Sequence, residues 1–137
     1  GEPILQAAPL AELGRLCQQV GLSLVTFTGF KYDMLVRANR ADWNALLAVT
    51  DLLLAGPFVA SQQDFSRPWV GSANQVFVFL TERYRYLEPQ LSSISNRLEI
   101  RLTPGREVAV NGLAHLDELN ALRRSLADLG LQLRSDE

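Results

Sequence analysis

The residues best suited to chemistry in this sequence are few. One cysteine, Cys17, and one histidine, His115, could in principle form a thiol and imidazole pair, because residues distant in sequence can meet in a fold. Cys17, however, lies on the apolar stripe Leu10, Leu13, Leu16, Cys17 and Val20, where a packed thiol is the simpler role. His115 stands in AHLDEL beside Asp117 and Glu118, at the start of a predicted helix, which suits a surface or capping position. Familiar metal sites need clustered cysteine, histidine or carboxylate, and this spacing offers none. Asp33, Asp42, Asp51 and Asp64 form no paired-carboxylate pattern, and the glycines match neither GxGxxG nor GxxxxGK[ST]. The residues therefore predict no catalytic group, metal or cofactor.

Two other features invite a binding role. In LTERYRYLEPQ, arginine and tyrosine alternate at Arg83, Tyr84, Arg85 and Tyr86. On a strand, that period places both tyrosines on the face of Val78 and Leu80 and both arginines on the opposite one. The tyrosines then extend the core and the arginines meet water, with an anionic ligand or an interface edge as the alternatives. Exposed tyrosines could stack single-stranded nucleic acid, but a net charge of −2 and a pI near 5.4 lack the usual basic footprint. No nucleic-acid partner is expected. Trp69, in SRPWVGS, either folds back onto the core or anchors a partner, since tryptophan buries much area at little entropic cost.

The elements that must position these residues follow from periodicity. The 137 residues, 47% hydrophobic, suffice for one domain, with possible halves over 5–88 and 95–137. No apolar run approaches the roughly 18 residues of a membrane span. The start GEPILQ, without Met or a signal-like segment, suggests an excised domain whose anchor lies elsewhere. A helix from Pro9 to Gly21 precedes two antiparallel strands, LSLVTFTGF and KYDMLVRAN, turning at Gly29. Asn39 or Asp42 caps a helix from Ala41 to Ala55 that stops at Gly56-Pro57. Phe58 to Phe65 returns as a strand, Ser66 to Asn74 is an exposed loop, and Gln75 to Leu87 is one long strand. A half-buried strand over Arg97 to Leu102, a Pro104-Gly105 turn, the strand in REVAVNG, a leucine-rich helix from Leu113 to Leu129 and a strand to Arg134 complete the chain.

A strand near Tyr32 to Arg37, a helix and FVAS echo a strand near Glu107 to Val110, a helix and LQLRS. The expected fold is therefore α+β: a ferredoxin-like antiparallel sheet with helices on one face, built of two related strand-helix-strand halves.

This order resembles the periplasmic domain of the PilO family of type IV pilus inner-membrane assembly proteins. The likeness runs from Leu10 to Glu88 and is carried by GLSLVTF, YDMLVRANRADWNALLAVTDLL, FVASQQDF and YRYLE, the last being its most specific motif. The segment from Arg97 to Arg134 looks more like the companion PilN family, or the L and M proteins of the type II secretion platform. The resemblance implies a non-enzymatic periplasmic scaffold domain, without cofactor, that pairs with itself or with homologous assembly proteins. Trp69 and the Arg83, Tyr84, Arg85 and Tyr86 edge would carry the interface, with Arg123 and Arg124 as lesser contacts. The alternative is a ferredoxin-like module that senses a small ligand.

Overall fold

A computed structural model describes residues 1–94, 98–102, 107–112 and 116–133. The chain forms two compact units, one of residues 1–64 and 70–91, the other of residues 65–69 and 92–137.

The first unit begins with a 3-10 turn at Pro3–Gln6, held by Glu2, whose carboxylate accepts from the Ile4 amide, the Thr28 hydroxyl and the Gly29 amide. The predicted first helix follows as α1, Ala7–Gln19. It buries Ala7, Ala11 and Gly14, while Leu13 and Leu16 stay exposed. Small residues on the inner stripe let α1 approach α3, Ala41–Val49, closely. A Cβ on Gly14 would stand 2.6 Å from Val49 Cγ2 and 2.8 Å from Leu24 Cδ2. Gly14→Ala is expected to cost about 1–3 kcal/mol by overpacking. Urea unfolding with an unchanged midpoint would show that the helices re-space freely.

The predicted hairpin is not formed. Its first arm is the strand β1, Val25–Thr28, but its second is the helix α2, Tyr32–Ala38. Lys31 enters α2 in extended conformation, Asp33 sits in the first turn and pairs with Arg37, and Asn39 closes the helix in the left-handed region with φ 45°. Asp33 favours the positive end of the helix dipole and Arg37 the negative end, which outweighs the β propensity of Tyr32 and Val36. Neither Asn39 nor Asp42 caps α3: its N-cap residue is Arg40, with no side-chain cap bond. Arg40 instead lies 4.8 Å over the Trp43 ring and donates to Asp42, which holds that exposed carboxyl below its ordinary range.

The second helix was expected to reach Ala55, yet it ends at Val49, and Leu52–Ala55 is the strand β2. Thr50 turns extended with ψ 129°. All residues of β2 are buried, as a central strand covered on both faces requires. It pairs in parallel with β1, Val25 against Leu52 through Thr28 against Ala55. On its other side it pairs antiparallel with β3, Val76–Phe79. The sheet order is β1-β2-β3, so among the described residues β1 and β3 are the edges. Leu53 and Ala55 face the α1 and α3 side with Ile4, Leu35 and Leu46. Leu52 and Leu54 face Val70, Phe77, Phe79 and Tyr84. Phe58 to Phe65 holds a 3-10 turn at Ala60–Gln62 and a single bridge, Gln63 to Ser72, in place of the predicted strand.

In the second unit β4, Leu98–Leu102, pairs antiparallel with β5, Glu107–Gly112. The helix α4, Leu116–Asp128, then leads to the short strand β6, Gln132–Leu133, parallel to β5. Arg97, Pro104-Gly105, Leu113, His115 and Arg134 lie outside the described residues.

The chain is thus α+β, but its described strands form two three-stranded sheets, each mixing a parallel with an antiparallel pair. The expected purely antiparallel pairing is corrected: a strand-helix-strand crossover returns β2 beside β1 and β6 beside β5, and such crossovers make parallel neighbours. The internal echo holds only as a strand-helix-strand plan, and in the first unit both strands differ: Val25–Thr28 in place of Tyr32 to Arg37 and Leu52–Ala55 in place of FVAS.

Candidate functional site

The predicted long strand stops at Phe79, and Glu82–Ser93 is a 3-10 segment containing the arginine-tyrosine alternation. Tyrosines and arginines are therefore not sorted to two faces of a sheet. Their roles come from individual partners. Arg83 donates to the Gly21 carbonyl at 2.9 Å and the Leu22 carbonyl at 3.5 Å, beside the end of α1. A cation there complements the helix terminus. Arg85 donates to Glu82 at 2.9 Å and to the Phe79 carbonyl at 3.4 Å. Tyr84 packs onto Leu52, Leu54 and Val70, with its hydroxyl bonded to Ser23. Tyr86 is exposed. The segment thus clips the end of α1 to the end of β3, and no strand edge runs through it. Trp69 is partly exposed with φ 64°, and Arg123 and Arg124 are exposed on α4.

Asp51, one of the aspartates without a paired-carboxylate pattern, is buried and central. It accepts from the Leu24 amide at 2.9 Å and the Thr81 hydroxyl at 2.8 Å. Its own backbone amide bonds to the Leu24 carbonyl, and its carbonyl accepts from Leu80 and Thr81. One residue so ties the starts of β1 and β2 to the end of β3. Next to it, Thr50 and Thr26 hydroxyls bond at 2.9 Å inside the core. The signal missed in the sequence was an aspartate immediately before a continuous apolar run, LLLA, where a charge is tolerated only with donors around it.

A more open feature lies at the β1 edge. Cys17, half-buried, lines an apolar cleft of about 330 Å³ between α1 and β1, with Leu10, Leu13, Leu24, Phe27 and Leu46 among its walls. Val25 and Phe27, in register with Leu52 and Leu54, expose their side chains on the sheet face away from α1, while Leu13 and Leu16 are exposed on the helix. Among the described residues, no group of three or more histidine, cysteine, aspartate or glutamate side chains could hold a metal ion.

A family model described as a 4Fe-4S single cluster domain matches residues 1–78, the stretch from the first turn to within β3. No curated protein and no solved structure matches the chain. The match overturns the likeness to PilO, PilN and the type II secretion L and M proteins, and with it the pilus or secretion scaffold. That likeness leaned on YRYLE as the end of a strand, and the structure makes it a 3-10 segment. The small-ligand sensing alternative fits the match no better. The periplasmic placement had the same likeness as its only support.

A four-iron cluster is held by four cysteine thiolates, and the whole sequence contains one cysteine and one histidine. The cleft that Cys17 lines offers glycine, proline, leucine, valine, threonine and phenylalanine as its other walls, with no second thiol, imidazole or carboxylate. The residues present do not fit a four-iron cluster.

Proposed function

We propose a function from the premise that this chain belongs to the family of 4Fe-4S single cluster domains: it keeps the domain as a cluster-free module and acts by association, without redox chemistry or catalysis. The observation that carries this reading is the donor count, one thiol where the cluster takes four. What the domain retains in place of a redox centre is a packed α+β core and an open strand edge beside an apolar cleft. Unpaired strand edges offer backbone hydrogen bonds to an incoming chain, and neighbouring apolar residues supply the burial that holds it. A ferredoxin-like arrangement is the finer part of the reading, supported by the strand-helix-strand step in each unit.

Anaerobic reconstitution of the full chain with ferrous iron, sulfide and a thiol reductant tests it. After desalting, the protein is expected to carry neither iron nor acid-labile sulfide, to show no visible charge-transfer absorption, and to melt at the same temperature with or without a chelator. Stoichiometric iron and sulfide retained with a visible chromophore would overturn the reading.

A further inference from the structure

We infer that the occupant of the open β1 edge is a second copy of this chain, its β1 antiparallel to the first about a two-fold axis; the inference rests on the association reading and names its partner. The backbone determines which groups are on offer. The carbonyls of Leu24 and Thr28 accept from the Leu52 and Gly56 amides, so these alternate residues point their polar groups toward β2. Backbone direction alternates along a strand, and Val25 and Phe27 therefore turn their amides and carbonyls to the unpaired side. The side chains of these same two residues lie on one sheet face and are 42% and 49% exposed, while Thr26 and Thr28 are buried.

A two-fold axis normal to the sheet preserves its faces, so Val25 and Phe27 must meet Val25 or Phe27 of the second copy. A slip of one residue would set exposed apolar positions against buried threonines. The central register sets Thr26 opposite Thr26 and Val25 opposite Phe27. In it, each Val25 and Phe27 pair exchanges both backbone bonds, the hydrogen-bonded pair of an antiparallel ladder. A single strand thus supplies both halves of the match.

Charge and area favour the same occupant. Protein edges are commonly guarded by lysine, proline or an inward charge. Residues 20–30, VGLSLVTFTGF, contain no charged residue and no proline, so the strand itself carries none of these guards. Around the strand, Leu13, Leu16, Val20 and Leu22 are all more than half exposed. Val25 and Phe27 are exposed on the other face of the sheet, so pairing along the edge engages apolar surface on both faces, on the order of 500 Å² in each copy. Doubled across the axis, this reaches the roughly 1,000 Å² that a stable interface must clear.

The test is sedimentation velocity on the full chain over a concentration series, beside Phe27→Glu checked for folding by circular dichroism. A dimer weakened roughly a hundredfold by the glutamate is expected, since the charge loses apolar burial and must desolvate at a self-contact. Register is read in a Cys17→Ser background by mixing Val25→Cys and Phe27→Cys chains. The mixture is expected to cross-link on mild oxidation more than either chain alone, and this arm holds even if Phe27→Glu misfolds. A wild type monomeric at every concentration overturns the inference, as does a dimer indifferent to Phe27→Glu with no preference in the mixed cross-link. A monomer that takes up no iron in reconstitution removes the second copy while leaving the cluster-free association reading in place; a monomer that does take up a cluster removes both.

Discussion

Replacing Leu53 by alanine is expected to remove about 2–5 kcal/mol of stability, the range for truncating a fully buried leucine in a core that cannot collapse around the void. Leu53 is 0% exposed on the central strand. It packs on the side of Ile4, Leu35 and Leu46, drawn from the first 3-10 turn, α2 and α3. Its strand is paired on both sides, Leu53 to Thr26 and to Val78, so the backbone cannot shift to fill the gap. The matched control is Leu5→Ala, a leucine 74% exposed in the first turn, for which a change within about 0.5 kcal/mol is expected. Denaturant unfolding of both variants with equal slopes separates the two. Equal losses at both positions would mean that the core does not sit where the structure puts it.

Asp51→Ala is expected to cost about 2–3 kcal/mol by a different mechanism. The carboxylate accepts from the Leu24 amide and the Thr81 hydroxyl. Its removal leaves both donors without this acceptor, and unpaired buried polar groups cost more than the bonds they made. Asp51→Asn keeps one acceptor oxygen and should lose about half as much. Amide hydrogen exchange gives a local readout: the Leu24 amide should lose protection in Asp51→Ala beyond the global change. Unaltered protection at Leu24 would show that the side chain does not hold the start of β1.

How much of this was legible depended on whether local pattern and local structure agreed. The first helix was readable because its apolar positions recur at three- and four-residue steps and Gly21 ends it with a φ of 80°. The strands β4 and β5 and the helix α4 were readable for the same reason, each carrying its own period. The segment YDMLVRA was not. Its tyrosine and valine suggest a strand, but its single buried residue, Leu35, and its Asp33 to Arg37 pair satisfy a helix. LLLA was misread in the other direction. A short apolar run has no period, so helix and buried strand look alike until neighbours appear on both sides. The arginine-tyrosine alternation was a two-residue period that no ladder uses: Arg83 and Arg85 found backbone carbonyls, and Tyr84 found the core.

The candidate site divides in the same way. That the chain cannot hold a four-iron cluster by itself is determined by the sequence alone, because ligand count is a property of composition and one cysteine cannot become four. The absence of charge from residues 20–30 is likewise written in the sequence. That this uncharged stretch forms an open edge was decided only in three dimensions. Strand order sets which strand is left unpaired, and the crossover through α2 and α3 places β2, not β1, at the centre. That Asp51 is a buried tie was decided there for the same reason. Its donors, Leu24 and Thr81, are far away along the chain and reach it only when three strands are assembled side by side.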